Sequence, residues 1–157
     1  MAKVQVLMPD DFLVNLADLG NRTDEIVESM LDVGGKIVLE AVRKNLQSAI
    51  GRNVSDNTEV PSSGELLDSL GVTSPKVDNE GNHNVKVGFN EPRRYQNKAK
   101  GKRSYYERTN AMVANTLEYG VKGRQQPRPY MRPAKRQSER ECVQAMKDKF
   151  ESQVGTL

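Results

Sequence analysis

Side chains able to act as nucleophiles or metal ligands are few in this sequence, and they lie far apart. The single cysteine, Cys142, occupies an apolar position of a helical pattern, where its expected role is packing. The single histidine, His83, lies in the turn-like stretch DNEGNHN. One cysteine excludes an internal disulfide, and one Cys with one distant His predicts neither a structural zinc site nor a Cys–His nucleophile.

The acidic and hydroxyl side chains give no better catalytic set. Asp10 and Asp11 precede an apolar run and indicate the start of a short helix, where carboxylates are favoured. Ser62 is interpreted as a helix cap that pairs with Glu65. Glu118 is a candidate acid without an evident base. We therefore predict that the protein is not an enzyme and has no metal or organic cofactor.

Composition narrows the class of protein. The 157 residues fit a single domain over 1–157, with a basic insert at about 91–105. Hydrophobic residues make up 36% and charged residues 29%, which is polar for a compact monomer and indicates that much of the surface is loop or partner-facing. No apolar run approaches the roughly 20 residues of a membrane helix. The N-terminal MAKVQVLMPDD lacks the pattern of a signal peptide, so we expect assembly in a cytoplasm.

Charge is distributed unevenly along the chain. Residues 91–140 contain 14 Lys and Arg against 4 Asp and Glu, whereas residues 1–90 contain 8 against 14. The net charge of the whole chain is only +3. Such a division favours contact between a basic face and an anionic partner, or between complementary faces of like subunits.

A long amphipathic helix is predicted from Thr23 to Ile50, with Thr23 as its cap and apolar residues at helical spacing. Gly34 and Gly35 lie inside it, each at a cost of about 1 kcal/mol relative to alanine. Close backbone packing against a neighbouring element is one explanation for this pair, and a kink is the alternative.

After this helix the pattern changes. One or two turns of helix in GELLDSL are followed by the extended stretch GVTSPKVD, a turn from Asp78 to Asn84 and a strand at 84–90. The two extended stretches predict a hairpin. Two further helices are predicted, from Tyr106 to Tyr119 and from Pro133 to about Gln153. With a short strand at 3–8, the fold class is α+β: a small antiparallel sheet with a long N-terminal helix and a C-terminal helix packed on it.

Residues 91–105, EPRRYQNKAKGKRSY, show no periodicity and are interpreted as a mobile basic loop. Cations with nearby tyrosines suit phosphate contact and base stacking, whereas a solvated loop tip is the alternative. The candidate residues for such contact with DNA are Arg93, Arg94, Lys98, Lys100, Lys102 and Arg103.

The stretch NTLEYGVKGRQQPRPYMRPA matches no catalytic motif. A helical run ends at Glu118-Tyr119-Gly120, and a basic turn leads to Tyr130, which is framed by Pro129 and Pro133. The prolines stiffen the chain around the aromatic ring. Tyr130 is therefore either presented to a partner or buried in the core beneath the last helix.

Taken together, these motifs resemble the tail-component family of long-tailed bacteriophages, typified by the tenth gene product of phage Hong Kong ninety-seven. The resemblance rests on four short motifs in order along residues 10–155: SGELLDSL at 63–70, VGF at 87–89, EYG at 118–120 and PYMRPA at 129–134. Ser63 stands where the family usually has Thr, and Leu67 where it usually has Arg.

The resemblance implies a structural virion protein of the neck or tail-completion region. It implies a cyclic homo-oligomer, a hexamer or dodecamer, between the head connector and the tail tube, with head-closure and tail-terminator or tail-tube proteins as partners and packaged DNA in the lumen. A non-specific nucleic-acid-binding accessory protein is the alternative. The candidate subunit-interface residues are Glu118, Tyr119, Gly120, Arg128, Pro129, Tyr130, Arg132 and Pro133.

Overall fold

The computed structural model describes residues 19–20, 22–50, 64–90 and 109–155, and the backbone alone at 94–97 and 104–107. The predicted strand at 3–8, most of the short helix before Gly20 and the proposed cap Ser62 lie outside the described residues. So do five of the six basic candidates, all except Arg94.

Two long helices dominate the described chain. Helix α1 spans Thr23–Ala49, and the last helix, α4, spans Met131–Val154. They pack antiparallel: Ser29 near the start of α1 donates to Gln153 near the end of α4, at 2.6 Å. At the other end Asn45 of α1 donates to Gln137 of α4, at 3.1 Å. Helix α2 (Glu65–Asp68) and helix α3 (Asn110–Tyr119) are shorter.

The glycine pair allows α1 to approach its neighbours on two sides, and the helix is continuous through it. A Cβ on Gly34 would lie 2.9 Å from Met146 Sδ and 3.1 Å from Cys142 Sγ, both on α4. A Cβ on Gly35 would lie 3.0 Å from Val72 Cγ2, in the hairpin. These contacts support close packing as the explanation for the pair.

The predicted hairpin is confirmed, but Pro75 and residues 85–86 divide it into two ladders. Strand β1 (Leu70–Val72) pairs antiparallel with β4 (Val87–Phe89), in the register Leu70↔Phe89. Strand β2 (Lys76–Val77) pairs with β3 (His83–Asn84), in the register Val77↔His83. The predicted continuous strand over 84–90 is wrong, because residues 85–86 belong to neither ladder.

The interpretation of 91–105 as an irregular loop is wrong in part. Strand β5 (Arg94–Asn97) pairs antiparallel with β6 (Ser104–Glu107), which places Tyr95 opposite Tyr106. Tyr106 is therefore in a strand, and helix α3 begins four residues later at Asn110. Its start is fixed by Thr109, whose Oγ1 accepts from Met112 N at 3.1 Å. Tyrosine favours strands, a preference that the density of cations obscured.

Two predicted helix caps are wrong as well. Arg22 is the N-cap of α1, and no side chain caps it; Thr23 Oγ1 instead donates to Leu19 O at 2.8 Å. Helix α2 begins at Glu65, and its N-cap is Gly64, which has a left-handed φ of 76°. A capping box with Ser62 would require Glu65 to be the third helical residue, whereas it is the first.

One hydrophobic core joins all the longer helices. Its buried residues come from α1, α2, β1, α3, and the N-cap and first turn of α4: Val42, Leu46, Leu66, Leu70, Ala114, Leu117, Tyr130 and Ala134. The packing role predicted for Cys142 agrees with its approach to Gly34, which Met146 shares, whereas Phe150 further along α4 remains 41% exposed. The α+β class is thus confirmed, although the described strands form separate two-stranded antiparallel sheets and not one sheet.

Candidate functional site: the junction of the last two helices

The segment from Glu118 to Ala134, called here the junction, connects α3 to α4. It begins with a turn that only glycine fits. Gly120 has φ 71° and ψ −176°, a region that side chains with a Cβ avoid. A Cβ there would lie 2.6 Å from Gln125 O and 2.7 Å from Pro127 N. The chain therefore folds back directly onto the end of α3.

Glu118 caps the start of α4 across this turn. Its side chain is buried, and its carboxylate accepts from Tyr130 N at 2.7 Å, Met131 N at 2.9 Å and Arg132 N at 3.3 Å. The first four N–H groups of a helix have no partner within it. Glu118 satisfies three of them, and the fourth position is Pro133, which has no N–H.

The sequence predicted that the last helix begins at Pro133, but α4 begins at Met131. The contacts of Glu118 explain the difference. Once the carboxylate accepts from three successive amides, the chain is helical two residues before the proline. Ala134 N then donates to Tyr130 O at 3.1 Å, the first bond of the helix itself. The negative charge also complements the positive end of the helix dipole.

Tyr130 is buried in the subunit's own core and is not presented to a partner, since only 1% of it is exposed. Its ring meets Phe89 edge-on, with centroids 6.3 Å apart. Its hydroxyl lies 3.5 Å from Ala114 O, at the limit of a hydrogen bond. Burial, together with the nearby Glu118 charge, raises the pKa of Tyr130 well above its ordinary value, so the phenol stays neutral.

Arg128 fastens the junction to the long helix. Its backbone N donates to Leu117 O at 2.7 Å, and its guanidinium Nη1 donates to Ala49 O at 3.0 Å, at the end of α1. A cation is favoured at the C-terminus of a helix because the last carbonyls there are free. The junction therefore holds the ends of α1, α3 and α4 together.

The outer face of the junction has a different character. Tyr119 is 62% exposed, and the Arg132 guanidinium lies 5.6 Å from the centre of its ring. Met112 and Val121 are also exposed, at 57% and 40%. The junction and the first turns of α4 also contain exposed cations: Lys122, Arg124, Arg132, Lys135 and Arg136.

The eight interface candidates therefore fall into two groups. Glu118, Gly120, Arg128 and Tyr130 make contacts inside the subunit, whereas Tyr119, Pro129 and Arg132 are exposed and Pro133 is partly buried. Of the basic candidates, Arg94 lies in β5, and the structure describes none of the others. Asn110 was missed: it is buried and donates to Asn90 O at 2.6 Å, tying α3 to the hairpin.

Nothing in the described part of the chain forms a metal centre, since no group of three or more His, Cys, Asp or Glu there could hold an ion. An open groove of about 510 Å³ lies between α1 and α4, lined by charged and small side chains such as Lys36, Glu40, Ala41 and Glu141. No helix among the described residues is both long and apolar enough to cross a bilayer.

Comparison with known proteins gives one match. The sequence profile of the family described as "Bacteriophage HK97-gp10, putative tail-component" matches residues 10–120, more than two thirds of the chain. The match includes the EYG motif at 118–120 and ends there, before PYMRPA and helix α4. No curated protein and no solved structure matches significantly. The chain belongs to the HK97 gp10-like family of bacteriophage tail components.

Proposed function

We propose that this tail component is a subunit of a cyclic ring at the connection between head and tail. Family membership supports a structural role in the tail. The observation that carries the finer proposal is the junction, which is rigidly bonded inside the subunit while its outer face presents Tyr119 and several cations. A tyrosine and arginines on a well-supported surface are typical of protein interfaces.

The chemistry of the junction also favours assembly over catalysis. The carboxylate of Glu118 accepts three backbone N–H groups, and the Arg128 guanidinium donates to a backbone carbonyl. Groups used in this way position helices and do not face a substrate. A non-enzymatic structural role is therefore part of the proposal.

The proposed partners are other copies of the chain, as a hexamer or dodecamer, with head-closure proteins on one side and tail-terminator or tail-tube proteins on the other. The ring assembles in the host cytoplasm and remains in the virion neck. Such a subunit needs several distinct contact surfaces, which agrees with its polar composition and divided charge.

Deleting the gene from the phage that encodes the protein tests this role. We expect filled heads and separate tails to accumulate, with few joined particles by electron microscopy, and a plasmid copy to restore joining. Normal numbers of joined, infectious particles without the protein would overturn the proposal.

A second role, sequence-blind contact with nucleic acid, is favoured by the β5–β6 pairing. The register places Asn97 opposite Ser104, and the sequence between these two residues contains Lys98, Lys100, Lys102 and Arg103. In a ring, such a basic segment would suit the inner rim or an adjoining ring, because phosphate attraction grips no particular base.

The test of this second role changes Arg93, Arg94, Lys98, Lys100, Lys102 and Arg103 to Ser. Each lost phosphate contact should reduce the log–log salt dependence of duplex binding by about 0.9. We also expect fewer infectious particles or weaker DNA retention. If the variant supports full titre, these cations are a solvated hairpin tip.

A further inference from the structure

The antiparallel helix pair separates two oppositely charged surfaces. Helix α1 has 27 residues, so its ends lie about 40 Å apart at 1.5 Å per residue. The junction is bonded to the C-terminal end of α1 through Arg128 and Ala49. The first turns of α1 therefore lie at the opposite end of the molecule.

The surface at the junction end combines cations with exposed apolar side chains. We call it the junction surface and define it as Met112, Tyr119, Val121, Lys122, Arg124, Arg132 and Arg136. Arg132 and Arg136 are four residues apart on α4 and therefore share one helix face.

The surface at the other end is acidic. The first three turns of α1 contain Asp24, Glu25, Glu28 and Asp32, which we call the acidic end. Asp24 lies 3.2 Å from His83 Nε2, and Asp32 pairs with Lys36 at 2.6 Å. Glu25 and Glu28 are exposed and, three residues apart, share one helix face.

We propose that the junction surface of one subunit docks on the acidic end of a second copy of this chain. The inference rests on the proposed ring and names the contact that would build it. Charge complementarity selects the partner surface, and Tyr119 with Met112 supplies the apolar area that interfaces bury. Since the two surfaces differ, the contact is heterologous and repeats from subunit to subunit until the ring closes.

A second copy fits this surface better than DNA does. Arg132 already covers the Tyr119 ring at 5.6 Å, the face on which a base would stack. Met112 and Val121 beside it are exposed apolar groups that phosphate contacts would leave unused. Phosphate binding would need the cations alone.

A charge exchange tests the contact. The first variant, Arg132→Glu with Arg136→Glu, makes the junction surface acidic; the second, Glu25→Lys with Glu28→Lys, makes the acidic end basic. Each is expressed alone, and then both together, to complement a phage that lacks the gene. Thermal melting verifies that each variant folds, and Lys76→Glu, an exposed hairpin charge reversal, is the matched control.

We expect either variant alone to reduce titre by at least about tenfold, because like charges then face each other across the contact. Co-expression should restore titre, since every contact in an alternating ring again joins opposite charges. The Lys76→Glu variant should complement fully.

Full complementation by either folded variant alone would overturn the proposal, and so would a lack of recovery on co-expression. The proposal would also fail if Arg132→Glu with Arg136→Glu abolished duplex binding while self-association was unchanged, because the surface would then be assigned to nucleic acid. A ring whose junction surfaces face solvent would overturn this contact but leave the ring function intact, whereas a particle without the ring would overturn both.

Discussion

Two carboxylates in this protein accept hydrogen bonds from backbone amides, one in a buried and one in an exposed setting. Glu118 is buried and accepts from three amides that lie 12 to 14 residues further along the chain. Asp78 is exposed and accepts from Glu80 N at 3.0 Å and Asn82 N at 2.8 Å, two and four residues away. The first joins two helices and the second closes one hairpin turn.

The difference lies in what replaces each carboxylate when it is lost. Water can solvate the amides of the Asp78 turn, so the turn loses little. The amides under Glu118 lie beside a buried tyrosine and cannot all reach solvent, and an unsatisfied buried donor costs about 1–3 kcal/mol. The stability of the whole fold should therefore depend far more on the junction than on the hairpin turn.

The largest effect should come from Gly120→Ala, which breaks the junction at its turn. The added Cβ would meet backbone atoms at 2.6 and 2.7 Å in a conformation that alanine avoids. We expect a loss of about 3 kcal/mol or more in the free energy of unfolding, measured by urea denaturation.

Gly123→Ala is the matched control for this change. Gly123 also has a left-handed φ, 74°, but a Cβ there meets nothing within 4 Å. Its cost should be about 1 kcal/mol. Equal losses for the two variants would show that the backbone contacts at Gly120 are unimportant.

The next effect should come from Glu118→Gln, which keeps the shape of the side chain and removes its charge. The hydrogen bonds from the three backbone amides lose their charged acceptor, and the favourable interaction with the helix dipole is lost. In addition, the NH₂ group of Gln faces backbone N–H donors that it cannot accept from. We expect about 2 kcal/mol lower stability. The exposed Glu139→Gln on α4 should change stability by less than about 0.5 kcal/mol. Similar values for both would mean that Glu118 does not fix the helix start.

A smaller loss is expected for Arg128→Met, which keeps an unbranched stem and removes the donor to Ala49 O. The free energy of unfolding should fall by about 1–1.5 kcal/mol. Arg124→Met, at an exposed position of the same junction, should be neutral in the same urea titration. If Arg128→Met leaves stability unchanged, its hydrogen bond to Ala49 O does not help to hold the end of α1 against the junction.

The smallest effect, and the only one with a predicted pH dependence, concerns Asp78. The backbone hydrogen bond from Asn82 lowers the pKa of Asp78 below 3.8 in the folded protein. Its contribution to stability is therefore present above the unfolded pKa and is lost as pH falls through the folded pKa. The difference in urea midpoint between wild type and Asp78→Ala should narrow below pH 3.8. A difference that stays constant to the lowest accessible pH would contradict the turn geometry.

The same comparison explains which parts of the structure could be predicted from sequence. The Asp78 turn was recognisable because its donors are within four residues. For the glycine pair in α1 the sequence left two explanations open, close packing and a kink. The role of Glu118 was not recognisable, since its partners are separated from it by a turn whose shape depends on Gly120. The pairing of β5 with β6 was missed because clustered cations obscured the strand preference of the tyrosines.

The functional prediction depended on a different kind of signal. The order of short motifs indicated the tail-component family, and the family profile confirms it over residues 10–120. The PYMRPA motif lies beyond that match, and its part in the fold is known from the contacts of Tyr130 and Arg132. Physical reasoning from spacing alone could not tell that Tyr130 is buried while Tyr119 is exposed.

The most direct test of the account is a cryo-electron reconstruction of the intact phage particle at side-chain detail. We expect a cyclic ring of this chain between head and tail, with Tyr119 and Arg132 of one subunit against Glu25 and Glu28 of the next. A particle in which this chain forms no cyclic ring would contradict it.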